Sequence, residues 1–300
     1  MYVYRAYGLT LASELALPEL LPGNPGNQAD VVIRHDPDLA VPETGWTQLS
    51  PFAWTREQGF HLQLPGIAQF VIEHGASIRV SPVEGIDAAS VRVFLLGSAL
   101  GALLFQRGFL VLHGNAIDMG GQAMLCLGPS GAGKSTLAAA FAARGYPVLA
   151  DDVVAINDDC EALPGIPRIK LWEDSAARLQ IETTSLMRIR PEMEKFNLPL
   201  ANHTSDTPLP VRWVYLLGQG QSDGFKLTPI RGMARFQPLM TNTYRRRFME
   251  GMALHPQHLS RCGKLAARIH LACVARPRTG FDIEGLADLL EADMALARQG

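Results

Sequence analysis

The first third of the chain alternates short apolar runs with turn-forming residues. Val31-Val32-Ile33, Phe60-His61-Leu62-Gln63-Leu64, Phe70-Val71-Ile72 and Ser77-Ile78-Arg79-Val80 read as strands. Breakers such as Pro22-Gly23-Asn24-Pro25-Gly26-Asn27 and Pro65-Gly66 separate them, as expected for turns between antiparallel strands. A small β-rich N-terminal domain over residues 1–88 follows. From Ala88 to Gln106 the pattern changes: apolar residues lie all round, no proline interrupts, and Gly108 follows, which predicts a buried helix with a glycine cap. Its longest apolar stretch, Val93 to Phe105, is 13 residues and contains Gly97, Ser98 and Gly101, short for a bilayer crossing.

The remainder, residues 89–300, reads as a second domain of α/β class. Phe109 through Ile117 and Ala123 through Leu127 are strand-like runs joined by Asp118-Met119-Gly120-Gly121, which predicts a hairpin. Ser135 to Ala143 is a helix, and Pro147 to Ala150 another strand ending at Asp151-Asp152. Arg168 to Trp172 and Arg212 to Leu217 are strand-like, with a polar connection from about Pro191 to Pro210 expected to be a mobile loop. Leu286 to Ala297 closes the chain as an amphipathic helix.

Composition narrows the setting. The four cysteines, Cys126, Cys160, Cys262 and Cys273, are scattered without CxxC spacing, so neither a zinc site nor a disulfide framework is suggested. Met1-Tyr2-Val3-Tyr4-Arg5 lacks a signal-peptide pattern, and a cytoplasmic protein with no membrane partner is expected. The net charge of −2 conceals an asymmetry: residues 1–90 carry four Lys/Arg against ten Asp/Glu, and residues 226–278 carry eleven Lys/Arg against Glu250 alone. Such a basic region attracts phosphates or an acidic peptide, or complements the acidic N-terminal third; a nucleic-acid partner is not expected.

The chemistry is carried by Gly128, Pro129, Ser130, Gly131, Ala132, Gly133, Lys134 and Ser135, followed by Thr136. They satisfy GxxxxGK[ST] at every required position, between an apolar strand and a helix. Glycines let backbone N–H groups turn inward around phosphate oxygens, and the helix N-terminus favours the anion. Lys134 is assigned to the β- and γ-phosphates and Ser135 to Mg²⁺. Asp151 and Asp152 follow Lys134 by 17 and 18 residues at the carboxyl end of the next strand, where ligands bind in α/β sheets. One carboxylate can help hold magnesium while the other accepts the proton of an attacking hydroxyl. Adjacent residues on an extended strand point oppositely, which puts both reaching the site in question. His113, 21 residues before Lys134, precedes Gly114.

Leu112-His113-Gly114, the hairpin, the phosphate-binding loop, Arg144-Gly145 and Ala150-Asp151-Asp152 together resemble the catalytic domain of HPr kinase/phosphorylase. The resemblance implies a P-loop kinase domain of the HPr kinase/PEP carboxykinase type, using ATP (GTP is also open) and Mg²⁺. By that resemblance His113 matches the active-site histidine, Lys134 the phosphate lysine, Ser135 the magnesium ligand and Asp152 the proton acceptor, with Asp151 its close partner, able to exchange roles with it; on the reading of the two carboxylates above, Asp151 is the one assigned to magnesium beside Ser135. The family's glutamate-arginine-glycine signature is not evident; the region reads Leu163-Pro164-Gly165-Ile166-Pro167-Arg168, which puts the reverse, phosphorylase reaction in doubt. Arg168 to Trp172 and Glu194 to Leu200 look more like the HPr-kinase-like proteins of lasso-peptide systems. The partner implied is then a precursor peptide or small protein phosphorylated on serine, and a homo-oligomer is possible. Arg245-Arg246-Arg247 would suit a peptide carboxylate or the triphosphate, or form a solvated helix face. The alternatives are a nucleotide-binding scaffold without catalysis and a small-molecule kinase.

Overall fold

The computed structural model describes the chain except residues 41–43, 191, 201–206, 221–222, 278–279, 281 and 300. The first third forms one sheet whose strands run in the order Leu21–Pro22, Tyr2–Ala6, Leu9–Ser13, Val31–His35, Ser77–Pro82, Ala68–Glu73, Gly59–Leu64, Ala53–Arg56, Thr47–Ser50. All four predicted strand runs lie in it. The pairing departs from the expected antiparallel pattern at Val31–His35, which is parallel to both neighbours. Leu11, Ile33, Phe60, Phe70, Ile72 and Ile78 point to one core, as period-two alternation requires.

Against that face packs the helix Ala88–Gln106. Asp87 caps it, accepting from the Ser90 N–H at 2.8 Å. The helix is 19 residues long and apolar enough to cross a membrane by length and composition, so the argument from a 13-residue stretch does not hold. Burial decides instead: Leu95, Leu96, Ala99, Leu103 and Leu104 are all at most 2 % exposed within the protein. A widened turn over Leu95–Ala99 interrupts the regular spacing. Beside it, a Cβ on Gly101 would stand 2.7 Å from the Tyr244 ring, so glycine is what lets that ring seat against the helix.

The second sheet carries, in order, Val148–Asp151, Gly114–Asp118, Ala123–Leu127, Leu209–Gln219, His270–Arg276 and Lys226–Ile230. Ala123–Leu127, Leu209–Gln219 and His270–Arg276 run parallel. Val148–Asp151 is antiparallel to Gly114–Asp118, which is antiparallel to Ala123–Leu127, so Asp151 ends at the same edge as Leu127. Both faces are covered. Met124 and Cys126 face the helices Lys134–Ala143 and Ile283–Gln299, while Leu125 and Leu127 face the layer containing His255–Arg268. That explains why Ala123–Leu127 reads as a continuous apolar run.

The hairpin joins Gly114–Asp118 to Ala123–Leu127, but the run from Phe109 is not one strand. Leu110–Leu112 pairs with Val154–Ile156 instead, and the chain changes partner at His113, whose N–H bonds to the Asn242 carbonyl at 2.8 Å. The expected loop from Pro191 to Pro210 contains the strand Lys195–Pro199, paired with Arg168–Trp172; residues 191 and 201–206 lie outside the described ones.

Candidate active site

The strand Ala123–Leu127 delivers the glycine-rich loop, and the neighbouring strand fixes its first residue. Gly128 has φ +141°, and a Cβ there would collide with the Leu217 carbonyl oxygen. Gly133, at φ +92°, occupies the left-handed N-cap of Lys134–Ala143, a conformation costly for other residues. Asn115, fully buried on the adjacent strand, donates to the Lys134 carbonyl at 2.5 Å and ties the first turn of that helix to the sheet. Thr136 hydrogen-bonds Ser175 at 3.0 Å, joining the helix to Glu173–Arg178.

Lys134 is only 7 % exposed, and its ammonium donates to the carbonyls of Gly128 and Pro129 at 2.8 and 2.9 Å. Burial lowers its pKa, opposed by Asp151 and Asp152. Ser135 Oγ lies 3.0 and 3.2 Å from the two Asp151 carboxylate oxygens, so the two residues assigned to magnesium are brought together. Asp151 also accepts from the Lys170 backbone N–H at 2.9 Å, and burial raises its pKa. Among the described residues no group of three His, Cys, Asp or Glu side chains forms a metal cage. A hydroxyl and one carboxylate fit Mg²⁺, which keeps several waters and takes further oxygens from substrate phosphates.

The doubt about neighbouring carboxylates is resolved by backbone geometry. Asp152 adopts φ +75°, breaking strand alternation, and both Asp151 and Asp152 line the same cavity of about 180 Å³ with Ser130, Lys134 and Ser135. A non-glycine residue held in this region costs of order 1–3 kcal/mol, strain of the kind found at functional sites. Asp152 accepts from Lys170 Nζ at 2.6 Å, while His113 Nδ1 stands 3.3 Å from its carboxylate and 3.0 Å from its carbonyl. Burial works to raise the Asp152 pKa, but the charge and hydrogen bonds of Lys170 and His113 hold it well below the usual carboxylate range. Behind His113 stands Tyr244, with ring centroids 6.1 Å apart.

Six cavity residues were not singled out as site residues in the sequence: Lys170, Trp172, Ser175, Arg178, Lys195 and Arg276. Lys195 Nζ sits 5.2 Å from the centre of the Trp172 ring, and burial lowers its pKa. Arg276, at the end of its strand, stands over Gly133, with Nη1 3.0 Å from where a Cβ would lie. Alternation along Arg168–Trp172 would have put Lys170 beside Trp172, but only pairing with Lys195–Pro199 brings Lys195 there. Arg245, Arg246 and Arg247 do not line the cavity: Arg246 pairs with Glu250, and Arg245 lies over Tyr244 and Phe248. Two of the C-terminal basic residues are engaged outside the acidic N-terminal third: Arg261 pairs with Asp158, and Arg268 bonds the Asp159 carbonyl.

No family model and no curated protein matches the chain. Among solved structures, the Hpr(Ser) kinase/phosphatase from Coxiella burnetii is similar at 13 % identity, over 63 % of this chain and 93 % of that one, with a TM-score of 0.32. A likeness at that score carries no functional weight, and the chemistry is read from the side chains.

Proposed function

We propose that this protein is an ATP-dependent kinase that transfers the γ-phosphate to a serine hydroxyl of a peptide or small protein. The observation that carries the reading is the pairing of two arrays across one cavity: Ser135 with Asp151 at 3.0 Å, and Asp152 with Lys170 at 2.6 Å. The first is a place for a hydrated divalent cation beside the phosphate-binding loop, and the second a carboxylate held for a hydroxyl. Bound Mg²⁺ would neutralise charge on the phosphates.

In the reaction, the acceptor oxygen forms a bond to the γ-phosphorus as the bond from that phosphorus to the β–γ bridging oxygen breaks, and ADP leaves. The hydroxyl proton passes to Asp152. A depressed pKa makes Asp152 a weak base, which a loose phosphoryl-transfer transition state tolerates because the hydroxyl loses its proton late. Lys170 keeps that carboxylate ionised, His113 fixes its orientation, and Lys134 and Arg276 supply positive charge to the transferring group. GTP use, a lasso-type precursor peptide as acceptor, a homo-oligomer, a boundary near residue 88 and a cytoplasmic setting remain part of this proposal; the four free thiols suit the last. Incubation with γ-labelled ATP and candidate acceptors tests the reading. Label should appear as phosphoserine and vanish in Lys134→Ala and Asp152→Asn, and robust transfer by either variant sinks the assignment.

A further inference from the structure

The ribbon formed by Arg168–Trp172 and Lys195–Pro199 presents one continuous face to two cavities. Its register sets Trp172 opposite Lys195, Lys170 opposite Asn197 and Arg168 opposite Pro199. Ile169 and Leu171, on the reverse face, are buried in the core of the second sheet. Trp172, Lys195 and Lys170 line the candidate active site. Arg168, Asn197 and Pro199 line a neighbouring groove of about 340 Å³, whose walls include Pro18, Leu20, Leu21, Leu186, Met187 and Leu200.

The floor of this groove is polar and incompletely satisfied. Arg168 is 5 % exposed, and its Nη2 is buried without a hydrogen-bond partner. The Asn197 side-chain oxygen is in the same position. Among the described residues the carboxylate within ion-pair distance of Arg168 is Glu19, at 3.7 Å, and Arg92 already holds it through two contacts of 2.9 and 3.0 Å. Two guanidinium groups therefore share one carboxylate in a mostly buried cluster. An unmatched buried guanidinium N–H is costly, and a second carboxylate is what matches it best.

We propose that this groove is the docking track of the acceptor polypeptide, with an aspartate or glutamate of that polypeptide seated on Arg168 and apolar side chains against Leu20, Leu21 and Met187. The inference rests on the kinase reading and adds to it a substrate preference. Arg168 and Lys170 are two positions apart on one strand, about 6.6 Å, so the acidic residue lies about two residues from the phosphorylated serine. Asn197, opposite Lys170 across the ribbon, offers its side-chain oxygen to a backbone N–H of the extended segment.

A library of short peptides with one fixed serine and degenerate flanks lacking Ser, Thr and Tyr, incubated with γ-labelled ATP, tests this. The wild-type protein should select Asp or Glu at one position near the serine, by about tenfold over neutral residues. Arg168→Gln should abolish that selection and leave turnover of the best acid-free peptide unchanged. Because Arg168 is buried, the half-exposed rim change Met187→Glu provides a second arm, expected to weaken acidic selection by repulsion without touching the core. A phosphorylated library with no acidic preference, or a preference that survives either folded variant, overturns the groove assignment alone. A library that takes no label while a free small-molecule hydroxyl does overturns the polypeptide reading and this inference together. Dissociation of an oligomer by Met187→Glu with acidic selection intact assigns the groove to a second copy of the chain, and overturns it equally.

Discussion

The two sheets bury different things. Beneath the N-terminal sheet, the helix Ala88–Gln106 contributes Leu95, Leu103 and Leu104 to an apolar core, and the fully buried polar residues there, such as Ser90 and Ser98, are uncharged. At the loop edge of the second sheet, Lys134 is buried outright, and Asp151, Asp152, Lys170, Lys195 and Arg276 crowd one cavity. The first region is held chiefly by the hydrophobic effect, with the Arg92–Glu19 ion pair at its margin and His61 Nδ1 its orphaned ring atom. The second collects charge, an orphaned guanidinium N–H and a left-handed Asp152, features that cost stability and persist where a ligand repays them.

That contrast breaks if removing charge from the second region leaves activity intact. Lys134→Ala should lower phosphoryl transfer by about 10³-fold or more, with the thermal midpoint little changed, checked by labelled-phosphate transfer and calorimetry. The converse holds for the first region. Leu103→Ala removes a fully buried side chain and should cost about 2–5 kcal/mol in urea unfolding, while the turnover of the folded fraction stays at the wild-type value.

His258 sharpens the comparison because it is a buried titratable group away from the cavity, 3 % exposed and 2.7 Å from Thr243 Oγ1. Burial, with His255, Arg261 and Arg246, lowers its pKa from 6.5 to about 4. A lowered folded-state pKa means its stability contribution is present above pH 6.5 and lost as pH falls through about 4. Between pH 7 and 4.5 the wild-type protein should lose about 2–3 kcal/mol from this group. Chemical unfolding of His258→Gln at the two pH values checks it; an equal loss in the variant removes His258 as the cause.

Local chemistry was legible in the sequence and long-range pairing was not. The glycine-rich loop, its strand and helix, and the Ser135–Asp151 and His113–Asp152 proximities follow from residues whose types and spacing point to one function. Lys195 and Arg276 do not, because each reaches the cavity through strand pairings with distant segments. The break at His113 was hidden for the same reason: Phe109 through Ile117 is strand-like on both sides of His113-Gly114-Asn115, and the competition between Val154–Ile156 and Ala123–Leu127 for partners divides it. Asp152 carries the sharpest lesson. Alternation predicts that it faces away from Asp151, and a single positive φ reverses that.

The most direct test of Asp152 as proton acceptor is single-turnover transfer of labelled γ-phosphate to an acceptor serine at saturating nucleotide, wild type against Asp152→Asn, with nucleotide affinity measured separately. Asp152→Asn should bind nucleotide as the wild type does and transfer about 10²- to 10⁴-fold more slowly. Transfer at the wild-type rate, or release of free phosphate with no phosphoserine from either protein, would contradict it.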